Sequence, residues 1–162
     1  LTRIGLNTGE MIVGNMGTPK KMDYTIMGQS VNLASRLEGV NKQYGTWILA
    51  SQATRQEAGD SFAWRQLDRV KPVGMDVPVR LYELLDEKAT TDASTLAAVE
   101  IFHKAQALFE ARDWDKAAGL FEEVQRLLPG DGPAEVFLKR CRGFKEKPPA
   151  DNWDGVFSLT MK

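Results

Sequence analysis

The chain has 162 residues, 43% of them hydrophobic, and 21 Lys and Arg against 22 Asp and Glu for a formal net charge of −1. This composition builds a packed core rather than a disordered tail, and the balanced charge leaves no electrostatic footprint for nucleic acid. The single cysteine, Cys141, excludes an internal disulfide and a thiolate metal cluster and is expected to be a buried structural thiol.

No signal-like start and no apolar run of about eighteen residues, the length a membrane helix needs, is seen. Leu1 stands where an initiator Met would, and a core-type strand begins almost at once. The expectation is therefore a fragment of something longer, cytoplasmic in location, whose parent protein is either soluble or a membrane-anchored receptor.

In chain order, Ile4 and Leu6 alternate with other residues over positions 3–8, which predicts a strand with one buried face. A turn at 8–10 leads to a second strand at 11–15. The glycines of GNMG (14–17) lack the spacing of the phosphate-binding loops, so they read as close backbone packing or a bulge, with a phosphate cradle as the other reading. After the exposed turn TPKK, a strand at 22–27 runs into Gly28. A helix follows from Val31 through Leu33, Leu37 and Val40, stopping at Tyr44-Gly45. Residues 47–50 form a short strand, and Ser51 caps a helix at 52–58 that ends at Gly59. Two β-rich runs, 62–70 and 77–85, are joined by a hairpin turn at 71–76. Strands and helices interleave over too short a length for a three-layer fold, so an α+β architecture with helices on one face of the sheet is predicted for residues 1–87.

The polar stretch 88–94 reads as a linker. Beyond it the hydrophobic period becomes helical: Val99, Phe102, Ala105, Leu108 and Phe109, then Ala117, Leu120, Phe121, Val124 and Leu128, with a corner at Arg112-Asp113. An antiparallel helical hairpin and a third helix at 133–143 together make an all-α unit over 95–144. Ala105, Leu108, Trp114, Ala117, Phe121 and Pro129 resemble the pattern of one tetratricopeptide repeat. One such repeat cannot bury its own face, so it is expected to dock on the α/β part or on a partner, a peptide or another subunit. The tail, 145–162, carries Trp153, Val156, Phe157 and Leu159; it is too apolar to hang in water and is expected to add an edge strand or pack across the helices.

The most informative stretch is DYTIMGQSVNLASRLE, residues 23–38. Asn32 and Arg36 lie four apart and share a helix face one turn after a glycine. An amide and a guanidinium beside free helix N–H groups suit a phosphate and a sugar; an exposed Arg and a capping Asn is the structural alternative.

Three stretches carry a resemblance: RIGLNTGEMIVGNMGTPKKMDYTIMGQSVNLASRLE (3–38), TWILASQAT (46–54) and LDRVKPVGMDVPVRLYEL (67–84). Together they resemble the second half of the catalytic domain of class III adenylyl and guanylyl cyclases, over about half the chain. The most specific signal is NxxxR on the helix after a YT-hydrophobic-x-G turn. The resemblance implies a partial, two-layer ferredoxin-like sheet and an enzyme that converts ATP to 3′,5′-cyclic AMP and pyrophosphate in a homodimer of complete catalytic domains. It makes Asn32 the residue that orients the ribose and Arg36 the one that stabilises charge on the α-phosphate. Thr25 takes the base-reading position, where a hydroxyl in place of the guanylyl enzymes' cysteine points to adenine, and the Ile26 carbonyl would accept from the adenine amino group.

The implied Mg or Mn is held in the family by aspartates that precede Leu1, so no metal ligand is expected in this chain, and neither Asp23 nor Asp68 matches them. The family's lysine-glycine-lysine in the last hairpin becomes Val73, Gly74 and Met75 here. Lys71, two residues earlier on the same strand face, either compensates as a phosphate ligand or is an ordinary edge lysine. The alternatives are a guanylate cyclase, a degenerate cyclase domain that regulates a partner, and an interaction module centred on the helices. This chain alone is expected to be inactive, and a bare sheet edge is expected to promote pairing with another chain.

Overall fold

The computed structural model describes residues 2–72 and 74–159. Val73, and the last three residues of the tail, on which expectations were placed, lie outside the described residues. The architecture is α+β.

The elements run β1 (Ile4–Leu6), β2 (Ile12–Thr18), β3 (Lys21–Met27), α1 (Gln29–Tyr44), β4 (Ile48–Ser51), α2 (Gln52–Glu57), β5 (Phe62–Lys71), β6 (Val79–Glu87), α3 (Ala93–Glu110), α4 (Trp114–Leu127), α5 (Gly132–Glu146) and β7 (Phe157–Ser158). Five strands form one sheet in the order β1-β4-β6-β5-β7, while β2 and β3 pair only with each other. β1 runs parallel to β4, β7 parallel to β5, and the β4/β6 and β5/β6 pairs are antiparallel.

One expectation about the amino-terminal strands is corrected, and of the two structural readings of GNMG close backbone packing holds, at Gly17. β1 has no buried face, Ile4 being 41% exposed. GNMG holds no bulge: the β2/β3 register is continuous from Ile12↔Met27 to Thr18↔Lys21. Of its glycines only Gly17 is sterically required, since a Cβ there, at φ 138°, would lie 2.1 Å from the Lys21 carbonyl oxygen; Gly14 has open space around it. The β2/β3 ribbon leaves Ile12, Val13, Met22 and Tyr24 exposed.

α1 starts two residues earlier than expected, at Gln29, and ends as predicted on Gly45 in the left-handed conformation. Gly5 lets β1 lie directly on α1, because a Cβ there would sit 2.2 Å from the Ala34 carbonyl oxygen. Ser51 caps α2, accepting from the Thr54 amide at 3.3 Å. The linker is shorter than 88–94: the Asp92 carboxylate accepts from the Thr95 amide at 2.8 Å and begins α3 at Ala93.

β5 carries a bulge. Ala63, Arg65 and Leu67 face the core, the register shifts between Gln66 and Asp68, and thereafter Asp68 and Val70 face it. α3 satisfies the backbone groups this irregularity frees. The Gln66 amide donates to Nε2 of His103 at 3.0 Å, and Nε2 of Gln106 donates to the Leu67 carbonyl at 2.7 Å. A helix whose buried side chains complete a strand's hydrogen bonds is part of the same structural unit as that strand.

One contiguous core confirms this at the level of packing. Leu37 and Val40 of α1, Leu49, Leu67, Val70 and Leu81 of the sheet, Phe102, Phe109, Phe121 and Phe137 of the helices, and Leu159 of the tail all belong to it. The helical unit therefore docks on the sheet. Its remaining apolar side holds the tail, with the Trp153 ring 5.7 Å from Phe109 and 5.2 Å from Phe144. The tail does both things expected of it, adding β7 to the edge of β5 and packing across the helices.

Candidate active site

The site is built around the start of α1. Gly28 precedes the helix at φ 147°, a conformation favouring glycine, and no side chain caps the first turn. No acidic residue occupies that turn either, so the positive end of the helix faces solvent uncompensated. Asn7 anchors this corner by donating through Nδ2 to the Ser30 carbonyl at 3.0 Å. Beside it lies an open depression of about 410 Å³ lined by Ile26, Met27, Gly28, Gln29, Val31 and Asn32.

The depression brings together two of the residues singled out in the sequence, Asn32, which is exposed, and Ile26, 45% exposed. Thr25 is the residue before Ile26 on β3, also exposed and paired opposite Gly14. Arg36 is one helical turn further on and does not line the depression. Its guanidinium lies under the turn that joins β5 to β6: a Cβ on Gly74 would stand 3.3 Å from Nη2. Nη1 of Arg36 is buried without a hydrogen-bond partner. A buried guanidinium N–H left unsatisfied is expensive, and an anionic acceptor arriving there would satisfy it.

Lys71 is at the end of β5. Its Nζ lies 3.6 Å from Oδ1 of Asp76 across the turn, both groups being solvated, an arrangement that contributes little and yields readily to a stronger anion. The backbone carbonyl of Lys71 accepts from the Leu159 amide at 3.1 Å, so the tail holds this strand end. Sequence reasoning missed Gly74 as a neighbour of Arg36. The available signal was a glycine, at φ 68° in the structure, in a turn between two strands, and it served only to compare lysine positions.

Asp68 is buried, 5% exposed, and engaged by Arg140 and Tyr44; Asp23 lies on the exposed ribbon. Among the described residues no group of three or more His, Cys, Asp or Glu side chains is arranged to hold a metal ion. Cys141 is buried, and its burial pushes the thiol up to about 11, as an inert structural thiol requires.

Residues 1–77 match the family model for the adenylate and guanylate cyclase catalytic domain. That match takes in 77 of the chain's 162 residues. The cyclase segment together with the helices is similar to the terminal-differentiation specific adenylate cyclase of Dictyostelium discoideum, 31% identical over 144 residues. That match covers 86% of this chain, and so runs past residue 87 into the helices, but 7% of the relative. Adenylate cyclase 1 of Rhizobium meliloti is 41% identical over 99 residues, 59% of this chain and 15% of that protein. Among solved structures, the adenylyl cyclase CyaB from P. aeruginosa is 36% identical, with 56% of this chain and 45% of that one covered at a TM-score of 0.47. The chain thus spans 7% and 15% of the length of these two curated relatives.

Proposed function

We propose that the protein carrying this cyclase segment converts ATP to 3′,5′-cyclic AMP and pyrophosphate, with this chain contributing the ribose and transition-state half of each site. The observation that carries the reading is Arg36, a half-buried guanidinium with one N–H unsatisfied beneath the β5–β6 turn, one helical turn beyond the exposed Asn32 that lines the depression.

In this reading the nucleotide lies along the depression. Asn32 hydrogen-bonds the ribose and orients its 3′-hydroxyl toward the α-phosphorus, a positioning role. Arg36 donates to the oxygens on which charge accumulates as the 3′-oxygen attacks and pyrophosphate leaves. Thr25 and the Ile26 carbonyl face the base, and the Thr25 hydroxyl favours adenine. Lys71 exchanges Asp76 for the terminal phosphates, in place of the lysines the family often has nearer the tip of this hairpin.

The reaction also calls for a divalent cation, Mg or Mn, and the ligands belong to residues outside this chain. The active form is a homodimer through the catalytic domain, and the chemistry belongs on the cytoplasmic side, where ATP is found. In this reading residues 1–87 are the cyclase part, 95–144 the helical part and 145–162 the tail, of which Trp153 and Phe157 touch the helices and β5. A peptide or subunit bound in the helical hairpin is not favoured, because the tail already occupies the apolar surface such a partner would use.

The test is product analysis with the protein that contains this segment, given Mn and either ATP or GTP. Cyclic AMP as the main product is expected. Cyclic GMP alone would overturn the base assignment, and no cyclic product from either nucleotide would favour a degenerate, regulatory domain.

A further inference from the structure

Arg140, on α5 and far outside residues 1–77 that match the cyclase family model, reaches the sheet of that segment. Its Nη1 donates to Oδ2 of Asp68 at 2.6 Å, its Nη2 lies 2.9 Å from the Tyr44 hydroxyl, and Tyr44 donates to the same Asp68 oxygen. The guanidinium carbon is 3.7 Å from the centre of the Phe157 ring. The Arg140 side chain is 10% exposed and that of Asp68 5%. One side chain therefore ties together α1, β5, α5 and β7. Burial, and then the neighbouring Asp68 carboxylate, hold the Tyr44 phenol well above its ordinary value, so it stays a donor.

Two of these four elements are the ones between which Arg36 works. Tyr44 is eight residues beyond Arg36 on α1, about 12 Å along a helix that moves as a rigid rod. Asp68 is three residues before Lys71 on β5, and the turn containing Gly74 comes directly after. The bulge at Leu67 is what turns Asp68 inward to meet Tyr44. Without Arg140, Asp68 becomes a buried carboxylate with its main counter-charge gone, a state relieved by separating α1 from β5 or by admitting water. Either relief alters how Arg36 meets the turn.

We propose that Arg140 is a positioning residue for Arg36: it locks the end of α1 to β5 and thereby sets the register between Arg36 and the β5–β6 turn. This rests on the reading of Arg36 as the group that stabilises the transition state, but its structural half is tested separately. The helices are then part of the frame of the nucleotide site.

The experiment has two arms. In the first, hydrogen exchange is measured on this chain with Arg140→Met, Arg140→Lys and Tyr44→Phe, the last keeping the ion pair and the ring. The amides of residues 75–77 and 79, beginning with the Met75 amide that now bonds to the Pro72 carbonyl, are expected to exchange at least tenfold faster in Arg140→Met. Arg140→Lys should recover part of the protection and Tyr44→Phe should lose part of it, with α4 unchanged in all three. Equal exchange at these amides in all variants overturns the proposal, whatever the activity of the protein. In the second arm, kcat and KM are measured for the protein that contains the chain. Arg140→Met is expected to lower kcat at least tenfold with KM within threefold, and to have no further effect once Arg36 is Ala. Losses that multiply in the double variant would show that Arg140 acts elsewhere and would overturn the proposal. Absence of any cyclic product from the unaltered protein would reject the cyclase reading and leave the exchange arm to decide the coupling.

Discussion

Phe137→Ala tests whether the helices and the cyclase sheet are one cooperative structure. Phe137 is 1% exposed and meets Phe102 at 5.5 Å, Phe109 at 5.1 Å and Phe121 at 5.0 Å between ring centres, below the Arg140 guanidinium at 5.0 Å. Truncating a Phe in such a site costs about 3–5 kcal/mol, the lost aromatic pairs placing it toward the upper end. With a urea dependence of about 2 kcal/mol per M, a loss of about 4 kcal/mol lowers the midpoint by about 2 M. The assay is urea unfolding followed through two single-tryptophan forms of the chain, one retaining Trp64 on β5 and one retaining Trp153 in the tail. Because the core is continuous from Leu37 to Leu159, both midpoints should fall together by that amount. A Trp64 transition that stays in place while the Trp153 transition falls would refute the reasoning and make the helices an independent domain.

Three further outcomes are expected. His103 accepts the Gln66 amide through Nε2 and must be neutral to do so; burial, and then Arg65, lower its pKa from the ordinary 6.5 despite Glu100 nearby. The unfolded chain therefore binds a proton at a higher pH than the folded one, so stability is full above pH about 6.5 and declines as pH falls through the lower folded value; urea midpoints that do not change between pH 7.5 and 5, or change identically in His103→Gln, would contradict this. The Cys141 thiol, buried and pushed up to about 11, should resist a thiol reagent at pH 8 and react fully after addition of denaturant; rapid labelling of the native chain would count against its burial. Gly74→Ala places a methyl 3.3 Å from Arg36 Nη2 at a positive φ, so turnover should drop with little change in stability beyond about 1–2 kcal/mol from backbone strain; unchanged turnover would separate the turn from Arg36.

Local patterns carried most of the fold. α1, its glycine stop, the Ser51 cap, the β5/β6 pair and the corner at Arg112, where φ is 65°, all arise from signals within a few residues of one another. What escaped the sequence depends on contacts between distant residues. Asp68 and Arg140 are 72 positions apart, and nothing near either shows that a bulge turns the carboxylate inward. Likewise the docking of the helices on the sheet could be framed only as one of two choices, since an amphipathic face does not say what covers it. Within the site, Asn32 and Arg36 were legible because four-residue spacing on a helix fixes their common face. That Arg36 ends under Gly74 rather than in the depression with Asn32 required the position of a turn nearly forty residues away.

The most direct measurement is the rate of cyclic AMP formation by the protein that carries this segment, compared with its Arg36→Ala form at saturating ATP. Loss of a donor to the developing charge should lower kcat by about 10²–10³, roughly 3–4 kcal/mol of transition-state stabilisation, with a much smaller change in KM. Turnover that survives the substitution, or a loss confined to KM, would contradict the role given to Arg36 and with it the account of the site.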